Sequence, residues 1–241
     1  MFEKNHPNIN TWKSLSDINS YDIETYKYED RFIPFCICFY LNSSYYSTYG
    51  YKVVIRSLLK IFSQISEKPC IIYVHNLDFD GFLILEEVSR YRKFSIEFLI
   101  DKMKIFYLKI GFGRKLIESR CSKKILPASL KSIAEDFELP PKLDFPYDFI
   151  NSNNLCYKGP LKYKNISWSY IDTEKHNILY CQRDVEITHK FISKLRNIIY
   201  RDLGLDLFGS YTISALSLKA SAKKFNYRKV DLRLKNPLIF L

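Results

Sequence analysis

Glycine is scarce in this sequence, with 7 in 241 residues. Phosphate-cradling loops need closely spaced glycines ahead of a helix. The close pair in Gly111-Phe112-Gly113 has no helix directly after it and reads as a turn. A glycine-rich nucleotide loop is therefore excluded. No stretch approaches the roughly 20 consecutive apolar residues of a membrane helix, so no membrane partner is expected. The 6 cysteines contain no C-x-x-C pair, and most stand in apolar contexts, as small core residues do. No signal peptide opens the chain, which predicts an intracellular protein without disulfides. Met1 to Pro7 is not an Arg-rich transit peptide either, so an organellar location implies synthesis within the organelle.

Several features are abundant. The chain is 47% hydrophobic, enough for a packed core, and carries 19 Tyr and 18 Phe. Its net charge of +11 favours a polyanionic partner, nucleic acid before acidic membrane. Heavy use of Lys, Ile, Asn, Tyr and Phe matches AT-rich codons, as in an organelle or plasmid genome.

Alternation predicts strands at 20–25 and 32–41, and an edge-like strand at 43–51. Helical spacing follows at 53–65, then a buried strand at 70–74 and a helix over about 80–91. Strands are predicted at 95–100, 104–110 and 115–119, and an amphipathic helix at 128–137 that Pro140-Pro141 stops. A loop-rich stretch runs to about 168, before helices at about 173–202 and 212–224. This order predicts one α/β domain with a mixed sheet. Its expected limits are an N-terminal extension over 1–19, the domain over 20–224, and a basic tail over 225–241.

Chemistry-bearing acids stand at particular places in this pattern. Asp22 and Glu24 are two apart in a strand, so both point to one face. Such a pair makes either one metal site or a solvent-facing edge. Asp80 ends Val74-His75-Asn76-Leu77-Asp78-Phe79-Asp80 at a strand-to-helix junction, where ligands collect. It is equally placed to cap the helix. Asp184 follows Tyr180 by four residues on the long helix, hence on the same face, beside apolar Ile178, Val185 and Ile187. A carboxylate there requires a metal or a cationic partner.

Together and in this order, D-x-E, N-x-x-F-D and Y-x-x-x-D resemble the three motifs of the 3′–5′ exonuclease domain of family B DNA polymerases. The Tyr73–Gly81 phrase is similar to the protein-primed branch found in linear phage genomes and mitochondrial plasmids. Leu126-Pro127-Ala128-Ser129-Leu130 and Thr212-Ile213-Ser214 are similar to its mitochondrial and plasmid members. The resemblance spans about 20–220 and implies a ribonuclease H-like exonuclease fold, a mixed β-sheet flanked by helices. It implies two Mg²⁺ or Mn²⁺ ions held by Asp22, Glu24, Asp80 and Asp184, with Tyr180 orienting the attacking water. Lys142, in Lys142-Leu143-Asp144-Phe145, would contact the scissile phosphate. Thr25, Tyr73, His75, Asn76, Phe79 and Ser122 would grip a single-stranded DNA 3′ end. Core packing is the alternative for Tyr73 and Phe79, and a structural hydrogen bond for His75.

Two departures from the family pattern stand in Ser122-Lys123-Lys124-Ile125-Leu126: Lys123 replaces a Leu, and Cys121 an acid. Asp78 has no assigned role; His6, His176 and His189 show no partner pattern in the sequence and are expected at the surface. Palm motifs of a polymerase are absent, so the expected activity is exonuclease without polymerisation. A separate polymerase chain or terminal protein is then an expected partner, and the mitochondrion the expected location. The alternatives are a silent DNA- or partner-binding remnant and a nuclease of the same fold acting on RNA.

Overall fold

The computed structural model describes residues 18–224. His6, most of the extension over 1–19 and the basic tail over 225–241 lie outside them. β1 (Asn19–Tyr28), β2 (Arg31–Leu41) and β3 (Ser44–Tyr49) form a meander, followed by α1 (Val53–Gln64), β4 (Cys70–Val74) and α2 (Leu77–Val88). A second meander, β5 (Phe94–Asp101), β6 (Lys104–Phe112) and β7 (Lys115–Cys121), leads into α3 (Leu130–Asp136). The chain then forms a separate hairpin, β8 (Lys158–Tyr163) and β9 (Ile166–Asp172), and the helices α4 (Thr173–Leu203) and α5 (Ile213–Lys224).

The main sheet has seven strands in the order β3-β2-β1-β4-β7-β6-β5. β4 runs parallel to β1 and β7, and the remaining neighbours are antiparallel, so the sheet is mixed as expected. Alternation along the strands sends each set of side chains to one face. Tyr21, Ile23, Ile37, Phe39, Ile72 and Val74 pack with α1 and α2 in one core layer. On the opposite face, Cys36, Cys38, Tyr180, Cys181 and Val185 pack together under α4. Farther along α4, Phe191 and Ile192 meet Ile133 of α3 and Tyr73 of β4. Each such buried side chain stabilises the fold by about 1.5–3 kcal/mol.

Three local findings depart from the sequence reading. The helix expected from 80 begins at Leu77, because Asn76 turns the chain at φ 75 directly after β4. The β8–β9 hairpin falls in the stretch expected to be loop. Pro160 interrupts its alternation and sits at a register shift between Gly159 and Leu161, where its missing N–H costs no ladder bond. His176 and His189, expected at the surface, are half-buried and have partners that no sequence pattern marked: His176 Nε2 lies 2.9 Å from the Asp144 carbonyl. His189 stacks on Tyr40 and meets the Tyr45 hydroxyl. Among the described residues, no helix is long and apolar enough to cross a membrane.

Candidate active site

β1 and β4 run parallel with Tyr21 opposite Val74, so Asp22 stands just beyond the carboxyl end of β4. The chain leaves β4 through His75 and Asn76 and enters α2, whose first turn carries Asp78 and Asp80. Carboxylates there face the positive end of the helix dipole. Asp80 lies inside the helix and is not its cap; the N-cap residue is Asn76, with no side-chain capping bond. Asp22 and Glu24 share the face under α4, on which Ser20 Oγ donates to the Val185 carbonyl and Cys181 Sγ to the Asp22 carbonyl. A bulge follows immediately: Glu24 pairs with Cys36, but Thr25 pairs with Pro34. Bulges re-aim side chains beside functional sites.

From α4, Tyr180 and Asp184 face the same cleft, and the stretch after Pro140-Pro141 supplies Lys142. Lys142 Nζ donates to Asp184 Oδ2 and lies 4.4 Å from the centre of the Tyr180 ring. Arg183 ties this stretch to α4 by donating to the Pro141 carbonyl. Phe145 wedges against both Tyr147 and Tyr180, whose hydroxyls are 2.5 Å apart.

The acids disturb one another, as clustered carboxylates must. Burial, then Asp184, pushes Asp22 up to about 7, and Lys142 partly opposes this. Burial and the other acids likewise push Glu24 and Asp80 well above the carboxylate range. Burial also raises Asp184 against the pull of Lys142. Burial and Asp184 hold the Tyr180 hydroxyl protonated, hence a donor. The carboxylates of Asp22 and Glu24 lie within 4.8 Å of each other, so the Asp22 charge disfavours ionisation of Glu24. Asp184 Oδ1 is buried without a partner. The Asp22 and Glu24 carboxylates, within 4.8 Å of each other and of Cys181 Sγ, and the orphaned Asp184 oxygen fit divalent cations with oxygen preference, Mg²⁺ or Mn²⁺, although neither Asp80 nor Asp184 joins the Asp22–Glu24 pair within that distance. Lys142 fills part of that need, so the expected cation partner of Asp184 is also present.

The residues expected to grip DNA divide into two groups. Thr25, His75, Asn76 and Phe79 remain partly open to solvent around the acids. Phe79 meets Phe32 edge-on at 5.1 Å. Phe32 in turn lines a groove of about 510 Å³ with Tyr26, Tyr51, Lys52 and Arg90, whose lining includes none of the four acids. His75 is kept neutral by burial, its pKa lowered to about 4, and its Nδ1 lies 3.0 Å from Ser122 Oγ.

Tyr73 and Ser122 do not meet the expectation. Tyr73 is 0% exposed and stacks on Phe208, because its position in β4 points to the α3–α4 side. Ser122 is 0% exposed and holds His75 rather than a strand. Tyr73→Ala is accordingly expected to cost about 3–5 kcal/mol of stability in urea unfolding, the ordinary price of an aromatic core truncation. Phe79→Ala is expected to weaken single-stranded DNA binding several-fold, by fluorescence anisotropy, with a smaller loss of stability. Asp78, unassigned from sequence, has a structural role: its Oδ1 accepts from Ile105 N and Lys124 Nζ, both at 2.6 Å. Tyr147 and Cys181 border the acids and were missed. Tyr147 carried no spacing signal, whereas Cys181 directly follows the singled-out Tyr180.

The sheet order, the flanking helices and the acids at the β1–β4 junction together define a ribonuclease H-like α/β domain. The family described as DNA polymerase type B, organellar and viral, matches residues 62–239, and the chain belongs to it. The chain is 30% identical over 139 residues to a probable DNA polymerase of Podospora anserina. That match covers 50% of this chain and 12% of the relative. Phi29 DNA polymerase in a ternary complex with primer-template DNA and nucleotides matches the fold with a TM-score of 0.62 at 21% identity. The match covers 88% of this chain and 35% of that one. The phi29 enzyme complexed with single-stranded DNA matches at a TM-score of 0.60 and 19% identity, over 88% and 35% of the two chains.

Proposed function

We propose that residues 20–224 form a metal-dependent 3′–5′ exonuclease domain that trims single-stranded or frayed DNA 3′ ends, the proofreading reaction of replication. The observation that carries this reading is the Asp22–Glu24 pair, with carboxylate oxygens within 4.8 Å of each other, electrostatically perturbed together with Asp80 and with Asp184, whose Oδ1 is buried without a partner. Asp22, Glu24, Asp80 and Asp184 would hold the two divalent ions. When bound, these ions lower the pKa of a water and stabilise the leaving 3′ oxygen. Tyr180 donates its hydroxyl proton toward the attacking water, and Tyr147 fixes the direction of that hydroxyl. Lys142, which donates to Asp184 here, would contact the scissile phosphate once Asp184 served as a metal ligand. Its flexible stem and point charge suit that exchange. Phe79 and Phe32 offer ring faces to bases of any sequence, and Asn76 and Thr25 hold the backbone. The DNA-bound states of the phi29 relatives, and the family itself, support DNA as the substrate.

The test is digestion of a 5′-labelled single-stranded oligonucleotide with Mg²⁺ or Mn²⁺, beside an RNA of the same sequence. A ladder shortening from the DNA 3′ end supports the reading. A folded protein giving no ladder with either ion would refute it. Tyr180→Phe is expected to slow the ladder by about 10- to 100-fold while metal binding by calorimetry is unchanged, because only the positioning of the water is lost.

A further inference from the structure

Cys36 and Cys38 stand directly across the β1–β2 ladder from Glu24 and Asp22. Opposed residues in an antiparallel ladder project from the same face, so both thiols lie on the side of the sheet that carries the acids. Cys181, next to Tyr180 on α4, comes down onto them. All three are 0% exposed, and their Sγ atoms lie within 4.8 Å of one another. The Cys181 sulfur also lies within 4.8 Å of carboxylate oxygens of Asp22 and Glu24. The other cysteines, Cys70, Cys121 and Cys156, are outside this cluster.

We propose that Cys36, Cys38 and Cys181 form a binding site for one thiophilic d¹⁰ cation, Zn²⁺ or Cd²⁺, with the Glu24 carboxylate as fourth donor. Tetrahedral zinc with thiolates at about 2.3 Å places their sulfurs close to 4 Å apart. The three sulfurs, all within 4.8 Å of one another, therefore need inward movements of at most about half an ångström, whereas the Glu24 carboxylate, which is close to Cys181 but not to all three thiols, must swing toward the ion. Soft sulfur ligands select such an ion over Mg²⁺ or Mn²⁺, which keep to oxygen. Two of the thiols now donate to weak acceptors, Cys181 to the Asp22 carbonyl at 3.3 Å and Cys38 to the Ile178 carbonyl at 3.5 Å. Ion binding replaces those contacts and releases the thiol protons to solvent. Entry is past Asp22, which is partly open to the cleft. Glu24 belongs both to this site and to the acidic set above it, so the two metals compete for one carboxylate.

The test is a titration of the reduced, metal-free chain with Cd²⁺, following the sulfur-to-cadmium charge-transfer absorption. One equivalent is expected to saturate the band. Cys36→Ser plus Cys181→Ser should remove it, whereas Cys70→Ser plus Cys156→Ser should not. Glu24→Gln is expected to weaken binding by about tenfold, the usual effect of disturbing one ligand of a site. Cadmium NMR of the wild-type chain reports the number of sulfur ligands directly, so the result stands even if the serine variants fail to fold. A cadmium signal with fewer than three sulfurs, or a band carried by Cys70 or Cys156, would overturn the proposal. None of these readouts depends on nuclease activity.

Discussion

Replacing Asp22 and Glu24 together by Ala is expected to lower 3′–5′ digestion by roughly 10³-fold or more. That loss corresponds to about 4 kcal/mol of metal-borne charge stabilisation in the transition state. The two carboxylates share one face of β1 and lie within 4.8 Å of each other. Removing both leaves Asp80 and Asp184 unable to hold two ions. Such a loss would also follow from unfolding, and stability separates the causes. The metal-free double variant is expected to be at least as stable as the parent, because it lacks two carboxylates that burial and Asp184 disfavour. Thermal melts without metal, beside digestion assays with Mn²⁺, measure both quantities. An inactive variant with a lower melting temperature would point to a structural role for the pair.

The second large effect concerns pH. Unfolded, Asp22 titrates near 3.8; folded, burial and Asp184 move it to about 7. Between those values the native chain keeps a proton that the unfolded chain has lost. The metal-free protein is therefore expected to lose stability as pH rises from about 4 to about 7. Glu24 and Asp80 shift in the same direction and steepen the fall. For Asp22 alone the loss is about 2–4 kcal/mol after allowance for its partial exposure. Millimolar Mn²⁺ at neutral pH is expected to restore the lost stability, because it binds the ionised acids of the native chain alone. Differential scanning calorimetry across this range, with and without Mn²⁺, reads both effects as shifts of roughly 5–15 °C. A melting temperature that stays level from pH 4 to 7 and ignores Mn²⁺ would mean that the four carboxylates do not crowd one another.

The main strands and helices follow closely from residue pattern. The buried run Cys70–Val74 is a strand with those bounds, and the long helical periodicity from 173 is α4. Strand alternation also placed Asp22 and Glu24 on one face, and helical spacing placed Tyr180 with Asp184. These are local geometric consequences of chain periodicity. The β8–β9 hairpin escaped because its strands are short, half-exposed and interrupted by Pro160, so little alternation marks them.

Periodicity says that side chains share a face but not what that face meets, and this second question was decided by the tertiary structure. Tyr73 and Tyr180 are both aromatic residues in motif positions. One packs under Phe208 in the core, while the other stands at the acids, according to where α3 and α4 cross the sheet. Tyr147 reaches the Tyr180 hydroxyl through a stretch with no regular repeat. Cys181 meets Asp22 across 159 residues of chain. The sequence alone determined the succession of the main-sheet strands and the long helices; the packing of α4 on β1 and β2 decided that Asp22 and Glu24 meet Cys181. Contacts between residues so far apart arise from closure of the whole core, which no local repeat encodes.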